Sequence, residues 1–375
     1  METNTKRKII GSILFVVILI VILTLTFKVL KTTDKNIEIG ALLPLSGNAA
    51  IYGQSMESGI ELAVEEINKN RGINGKGLKI TYEDSKGDPK TAVTTLSLME
   101  NIPVVITAIS GVVLSTAPLA NEKEIILLNV GAKSPLISEA GDYVFSNIPN
   151  SNYDEKLFVK FVKENLNINK IAIIHINNDY GVGTSKAFNK YFTESGGDIL
   201  ISETYETDAT DFKTQLTKIK AKDPEAIFLV GLKEQGLVLK QAKELGINKR
   251  WLAPEGFAQP EIIKIAGGAA ENVIFHTPNF DLRSQSEPTK SFVEDYKSRY
   301  SKDPDIYAAN SYDATMLLAT AIKEVGPNSQ KIKDWLYNIN NFQGVSGIIK
   351  FDFNGDVIKP ILIKTIKNQQ ITEFN

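Results

Sequence analysis

The chain has 375 residues, enough for two lobes of ordinary domain size, with hydrophobic and charged fractions (43% and 23%) typical of a globular protein. Its net charge of −2 hides an asymmetry: residues 1–33 hold five bases against one acid, so the remainder is acidic, which argues against a nucleic-acid partner. There is no cysteine and only two histidines, His175 and His276, which excludes disulfides, thiolate chemistry and a lipid-bearing cysteine and argues against a histidine-based zinc site.

Ile9 to Phe27 runs 19 residues without a charge. As a helix rising about 1.5 Å per residue it would span about 28 Å, close to the hydrocarbon core of a bilayer. Lys6, Arg7 and Lys8 precede it, so residues 1–8 are expected in the cytoplasm and everything after Lys28 outside. A cleaved signal peptide is the alternative, but Phe27-Lys28-Val29-Leu30-Lys31 lacks small residues at a cleavage position. The expectation is an uncleaved single-pass anchor followed by a short polar tether over 28–36.

From Ile37 onward β-rich runs alternate with helix-period segments, the pattern of βαβ units and mainly parallel sheets. Ile37–Leu43 precedes a helix over Gln54–Lys69, where Ile60, Ala63, Val64 and Ile67 form one stripe. Leu78–Tyr82 precedes a helix opening at Pro89. Val104–Ile109 precedes a helix over Leu114–Lys123, and Ile125–Leu128 is the next strand. Further on come Lys170–Ile176 with a helix at Thr184–Ser195, and Glu225–Val230 with one at Glu234–Leu245. Trp251–Ala253 and Val273–His276 read as short strands, Phe292–Tyr300 and Ser311–Val325 as helices. Ile348–Phe351 and Val357–Ile366 read as a closing antiparallel pair about Asn354-Gly355.

So many crossed strands exceed one compact sheet and fit two α/β lobes. The Pro/Asn-rich stretches 145–153 and 277–283 are the expected crossovers. The lobes are then 37–149 with 279–340, and 150–278 with 341–375.

Ligands of open parallel sheets bind beyond the carboxyl ends of strands, where helix N-termini offer free N–H groups. The residues following the strands here are polar and glycine-rich: Tyr52-Gly53, Ser110-Gly111, Gly131-Ala132-Lys133, Tyr180-Gly181 and Glu255-Gly256. Each has a plainer reading: Ser110 as an N-cap, Tyr52 as an exposed loop aromatic, Tyr180 in a strand-to-helix turn, Glu255 as a solvated turn residue, Lys133 as a surface lysine. No nucleophile, zinc or P-loop motif occurs, His175 lies in an apolar strand, and neither histidine has an obvious partner. No catalytic role, cofactor or metal is expected.

The segments IGALLPLSGNAAIYGQSMESGIELAVEEIN, INGKGLKITYEDSKGDPKTAV, SGVVLSTAPLANEKEI, KIAIIHINNDYGVG, DFKTQLTKIKAKDPEAIFLVG, APEGF and YAANSYDATMLLATAI follow one another along 37–375. In that order they resemble the type I periplasmic binding proteins, specifically the Leu/Ile/Val-binding receptors of ABC transporters. The resemblance implies two Rossmann-like lobes joined by three crossovers, closing on a ligand for delivery to an ABC permease by a monomeric receptor. It assigns Ser110 and the Gly131 backbone to the ligand carboxylate, Glu255 to its ammonium, Tyr52 to its side chain and Tyr180 to a second-lobe contact. Three departures accompany it. Lys133 stands where the family has threonine, an aromatic near Leu232 or Lys233 is missing, and Ser146-Asn147 replaces a frequent Arg-Thr. An amino-acid head group fits this pattern, while a larger or acidic ligand reaching Lys133, a non-amino-acid solute such as an amide, and a membrane-tethered sensing role stay open.

Overall fold

The computed structural model describes residues 36–374. The expected anchor at 9–27, the residues 1–8 before it and the tether up to 35 lie outside them. Among the described residues no helix is long and apolar enough to cross a membrane.

The first lobe begins with β1 (Ile37–Leu43), α1 (Ala50–Lys69), β2 (Leu78–Asp84), α2 (Pro89–Leu98), β3 (Val104–Thr107), α3 (Ser110–Glu122), β4 (Ile126–Asn129) and β5 (Val144–Ser146). Its five strands are all parallel in the order β2-β1-β3-β4-β5.

The chain then builds a second lobe from α4 (Ser151–Glu164), β6 (Lys170–Ile176), α5 (Asp179–Glu194), β7 (Asp198–Tyr205), α6 (Lys213–Lys222), β8 (Ala226–Val230), α7 (Gln235–Glu244), β9 (Arg250–Ala253), α8 (Pro260–Ala266) and β10 (Ile274–Pro278). These strands repeat the same order, β7-β6-β8-β9-β10. In each lobe the order reverses beside the first strand, and ligand sites of such sheets form at that switch point.

α9 (Glu287–Tyr300), α10 (Ile306–Val325) and α11 (Ser329–Asn338) return to the first lobe, where Phe292, Leu317 and Leu336 join its core. The hairpin β11 (Phe342–Gly344) and β12 (Gly347–Ile349) follows. Finally β13 (Ile361–Lys367) and β14 (Gln370–Glu373) add antiparallel to β10 at the edge of the second sheet.

Three expectations are corrected. The closing pair about Asn354-Gly355 shrinks to one bridge, Phe351 to Val357. Its turn instead leans on β5, with Ser146 N–H donating to the Gly355 carbonyl at 2.8 Å. Val345, Ile349, Phe351 and Val357 are buried in the first lobe's core, so the stretch 341–357 packs there. Of 341–375, the second sheet takes only Ile361–Glu373. The crossover expected at 145–153 narrows to 147–150, because β5 and the first turn of α4 occupy its ends. A third crossover at 358–360 had no sequence signal of its own.

Three helices start about a turn earlier than their periodicity suggests: α1 at Ala50, α3 at Ser110 and α5 at Asp179. In α1 and α5 the first turn holds a glycine because the helix closely approaches the end of the preceding strand, whereas Gly111 of α3 faces Asp179 and Pro89 at the starts of two other helices. A Cβ on Gly53 would lie 2.1 Å from the Pro44 carbonyl oxygen, and one on Gly181 would lie 2.0 Å from that of Ile176. Such contact brings each helix N-terminus over its strand end, where the site forms.

The packing of α1 on α10 fixes the first-lobe wall of that site. At the crossing, a Cβ on Gly59 would lie 2.1 Å from the Ala308 carbonyl oxygen. Gly59→Ala is therefore expected to destabilise the protein by about 1–3 kcal/mol through overpacking. Urea unfolding checks this; a variant as stable as wild type would contradict the close approach.

Candidate functional site

The strand ends of the two lobes face each other across a cavity of about 30 Å³. Five of the six expected residues line it: Tyr52, Ser110, Gly131, Tyr180 and Glu255. Met56 from α1, Tyr307 from α10, Ile109 and Leu232 add its apolar surface, and Tyr52 and Tyr307 meet edge to face with ring centroids 5.2 Å apart. Burial raises the hydroxyls of Tyr52, Tyr180 and Tyr307 well above the ordinary tyrosine range, so all three are neutral hydrogen-bonding groups at physiological pH.

Ser110 is the first residue of α3 and makes no side-chain cap, so the N-cap reading is corrected. Ile109 takes that position, at φ 69°. A β-branched residue in the left-handed region is strained, and both Ile109 and Ser110 line the cavity, so the N-terminus of α3 borders it. The Ser110 hydroxyl accepts hydrogen bonds from Lys133 N–H (3.2 Å) and Ser134 N–H (3.0 Å). With both lone pairs engaged, its own proton is free to donate. A hydroxyl donor beside the free amides of a helix N-terminus makes a carboxylate-binding corner. The Gly131 N–H donates to Asn129 Oδ1 at 3.0 Å, so this residue has its carbonyl, an acceptor, left to offer.

Opposite stands Glu255, in a short 3₁₀ turn directly after β9 and 1% exposed. It belongs to a buried charge cluster that sequence reasoning did not foresee. Lys133 is buried, not on the surface: its ammonium pairs with Asp154 of α4 and lies 3.5 Å from Glu255 Oε2. His276, expected to lack a partner, has Nε2 3.0 Å from Glu155 Oε1. His175 sits in β6 as expected, with Nδ1 3.0 Å from the Ile176 carbonyl, and burial lowers its pKa.

Within the cluster, burial lowers the Lys133 pKa, but Asp154 and Glu255 more than offset this and hold the ammonium charged. Burial pushes Asp154 and Glu155 up, with Lys133 and His276 respectively opposing the shift. For His276 the neighbouring Glu155 outweighs burial and raises the pKa. Three carboxylates thus face one ammonium and one imidazole. The acids outnumber the basic partners by one, and Glu255 Oε2 has no hydrogen-bond donor.

Asp154, Glu255 and His276 also form a donor set with ligand atoms within 4.8 Å of one another, and its two carboxylates face the Lys133 ammonium. That ammonium does not line the cavity. An acidic ligand group reaching for it meets Asp154 and Glu255, which does not favour the acidic-ligand reading.

The lobes are bonded directly across the cleft. The Tyr52 hydroxyl donates to the Gly256 carbonyl at 2.9 Å, Gln259 Nε2 donates to Asp305 Oδ2 at 2.8 Å, and Asn48 donates to Glu234.

This chain is a type I periplasmic binding protein: the periplasmic binding protein family model matches residues 36–370. The leucine-, isoleucine-, valine-, threonine- and alanine-binding protein of Pseudomonas aeruginosa is 28% identical over 86% of this chain and 87% of its own. Among solved structures, a leucine-binding protein from Thermotoga maritima superposes with a TM-score of 0.84 at 28% identity, covering 90% of this chain and 98% of that one. The branched-chain amino acid substrate-binding protein of Streptococcus pneumoniae, solved with isoleucine, gives 0.83 at 30% identity with the same coverage.

Removing the Lys133 ammonium leaves Asp154 and Glu255 without their cation. Lys133→Met is expected to cost about 3–5 kcal/mol at pH 7. The loss should shrink toward pH 5. Burial already raises Asp154, and without Lys133 its folded-state pKa rises further, so the folded variant binds more protons than the unfolded chain and gains stability as pH falls. Denaturant unfolding at the two pH values checks both the size and the direction.

Proposed function

We propose that the protein captures an α-amino acid between its lobes and presents it to an ABC permease. The observation that carries this reading is the pairing, across one small cavity, of a carboxylate-binding corner at Ser110 with the under-neutralised carboxylate of Glu255. A zwitterionic head group matches both ends. Its carboxylate meets the Ser110 hydroxyl and the first amides of α3, and its ammonium meets Glu255 and the Gly131 carbonyl. The side chain then lies among Tyr52, Met56, Leu232 and Tyr307, and Tyr180 closes the second-lobe side. The relatives named for binding leucine, isoleucine, valine, threonine and alanine support this class of ligand.

The cavity is walled by residues of both lobes, so entry requires the lobes to part and closure follows binding. Parting breaks the Tyr52–Gly256 and Gln259–Asp305 bonds, and closure remakes them. Head-group binding at Ser110 and Glu255 and closure of the lobes need no chemical step, so we read the protein as a receptor and not an enzyme; that it acts as a monomer follows the resemblance to the binding-protein family. The uncharged span 9–27, preceded by Lys6, Arg7 and Lys8, supports a single-pass anchor with the two lobes outside the cell. Intact mass of the native protein tests retention of that span; a product starting after it would contradict the anchor.

Isothermal titration with a panel of α-amino acids is expected to give saturable heat for at least one aliphatic member. Glu255→Gln should weaken that ligand by about 2–5 kcal/mol, roughly 30- to 5,000-fold. Binding of an amide or sugar with no response to any α-amino acid would contradict the reading.

A further inference from the structure

The site does not use the other buried lysine, Lys359, which sits in the third crossover and is 2% exposed. Its Nζ lies within hydrogen-bond distance of four oxygens: the Asn147 carbonyl (2.9 Å), Asn147 Oδ1 (3.1 Å), Asn310 Oδ1 (3.0 Å) and Ser346 Oγ (2.8 Å). Asn147 belongs to the first crossover, Asn310 to α10, and Ser346 to the β11–β12 turn. Asn147 is held again from the first lobe, since its Nδ2 donates to the Asn310 carbonyl (3.0 Å) and its N–H to the Asn129 carbonyl (2.8 Å). The second crossover joins the same group, because Asn279 N–H donates to the carbonyl of Pro360, the residue after Lys359 (2.8 Å). All three passages between the lobes therefore converge on one ammonium and its neighbouring peptide.

We propose that Lys359 is a positioning residue for lobe movement, its ammonium clamping the first and third crossovers to α10 so that the second lobe swings from a fixed base. The inference rests on the hinged reading of the cleft and not on the identity of the ligand. The Lys359 side chain is absent from the cavity lining, so its influence on binding passes through the hinge.

The clamp is costly to keep charged. No carboxylate bonds Lys359 directly; the facing acid, Asp313 of α10, accepts from Val345 N–H and from the Ser346 N–H and hydroxyl. Burial pushes the lysine down to about 8, with Asp313 opposing the shift and Lys133 adding to it. Asn147 and Ser346, its contacts on the remaining elements, are uncharged. Between pH 7 and 9.5 the ammonium loses its charge and one of its donors, and the clamp weakens.

The chain contains no cysteine, so Leu98→Cys and Glu194→Cys, both exposed, put one spin label on each lobe. Electron–electron double resonance on the full chain in detergent, without added ligand, then reads the interlobe distance distribution. At pH 7 the Lys359→Met background should give a broader distribution shifted to longer distances than the wild-type background. The wild-type background at pH 9.5 should move toward the methionine variant, which itself should not change with pH. A methionine variant that superimposes on wild type overturns the proposal, as does a wild-type distribution unmoved at pH 9.5. If Lys359→Met does not fold, the wild-type pair at two pH values decides alone. Because no ligand is added, failure of the amino-acid reading would leave this result intact.

Discussion

The contact of the Lys133 ammonium with Asp154 and Glu255 is the interaction on which the rest of the structure depends. The cation comes from the loop after β4 in the first lobe, and the acids come from α4 and the end of β9 in the second. All three side chains are at most 1% exposed, where unpaired charge costs several kcal/mol per ion. The closed arrangement is tolerable because each lobe supplies what the other lacks. The same contact sets the chemistry of the cleft. Lys133 pairs with two carboxylates of a three-carboxylate cluster, and Glu255, whose Oε2 lacks a hydrogen-bond donor, faces the cavity.

The folding of each lobe delivers its half of the site to the right edge. Both sheets use one strand order, so both switch points fall at carboxyl ends, and the two edges oppose each other across the crossovers. Close helix–strand contacts at Gly53 and Gly181 set helix N-termini at that edge, and the strained Ile109 with Ser110 puts the start of α3 on the cavity wall. The energetic cost of these local features is met by large apolar cores on both faces of each sheet.

Much of this was legible in the sequence. The alternation of strands and helices gave the two-lobed α/β class, and the polar residues after strands named five positions that the fold brings to one cavity. Residues that reach the site from elsewhere were harder to see. Met56 and Tyr307 belong to helices that read as ordinary core packing, and only the crossing of α1 and α10 brings them together. Asp154 and Glu155 carried a signal that went unread: they share a helix face with Phe158, Val159 and Val162, and acids on an apolar stripe demand buried partners. The glycines of the early helix turns read as loop residues because their role is close approach, which no periodicity records. The boundary at 341–357 was misassigned because a turn signal at Asn354-Gly355 does not say which sheet the turn rests on.

The central claim is that the cleft binds a zwitterion in one orientation, and a crystal structure of the protein with a bound α-amino acid tests it most directly. The account predicts a ligand carboxylate on the Ser110 hydroxyl and the first amides of α3, with the ammonium in hydrogen-bond contact with Glu255. A ligand bound in the reverse orientation, or outside the cavity walled by Tyr52, Tyr180 and Tyr307, would contradict it.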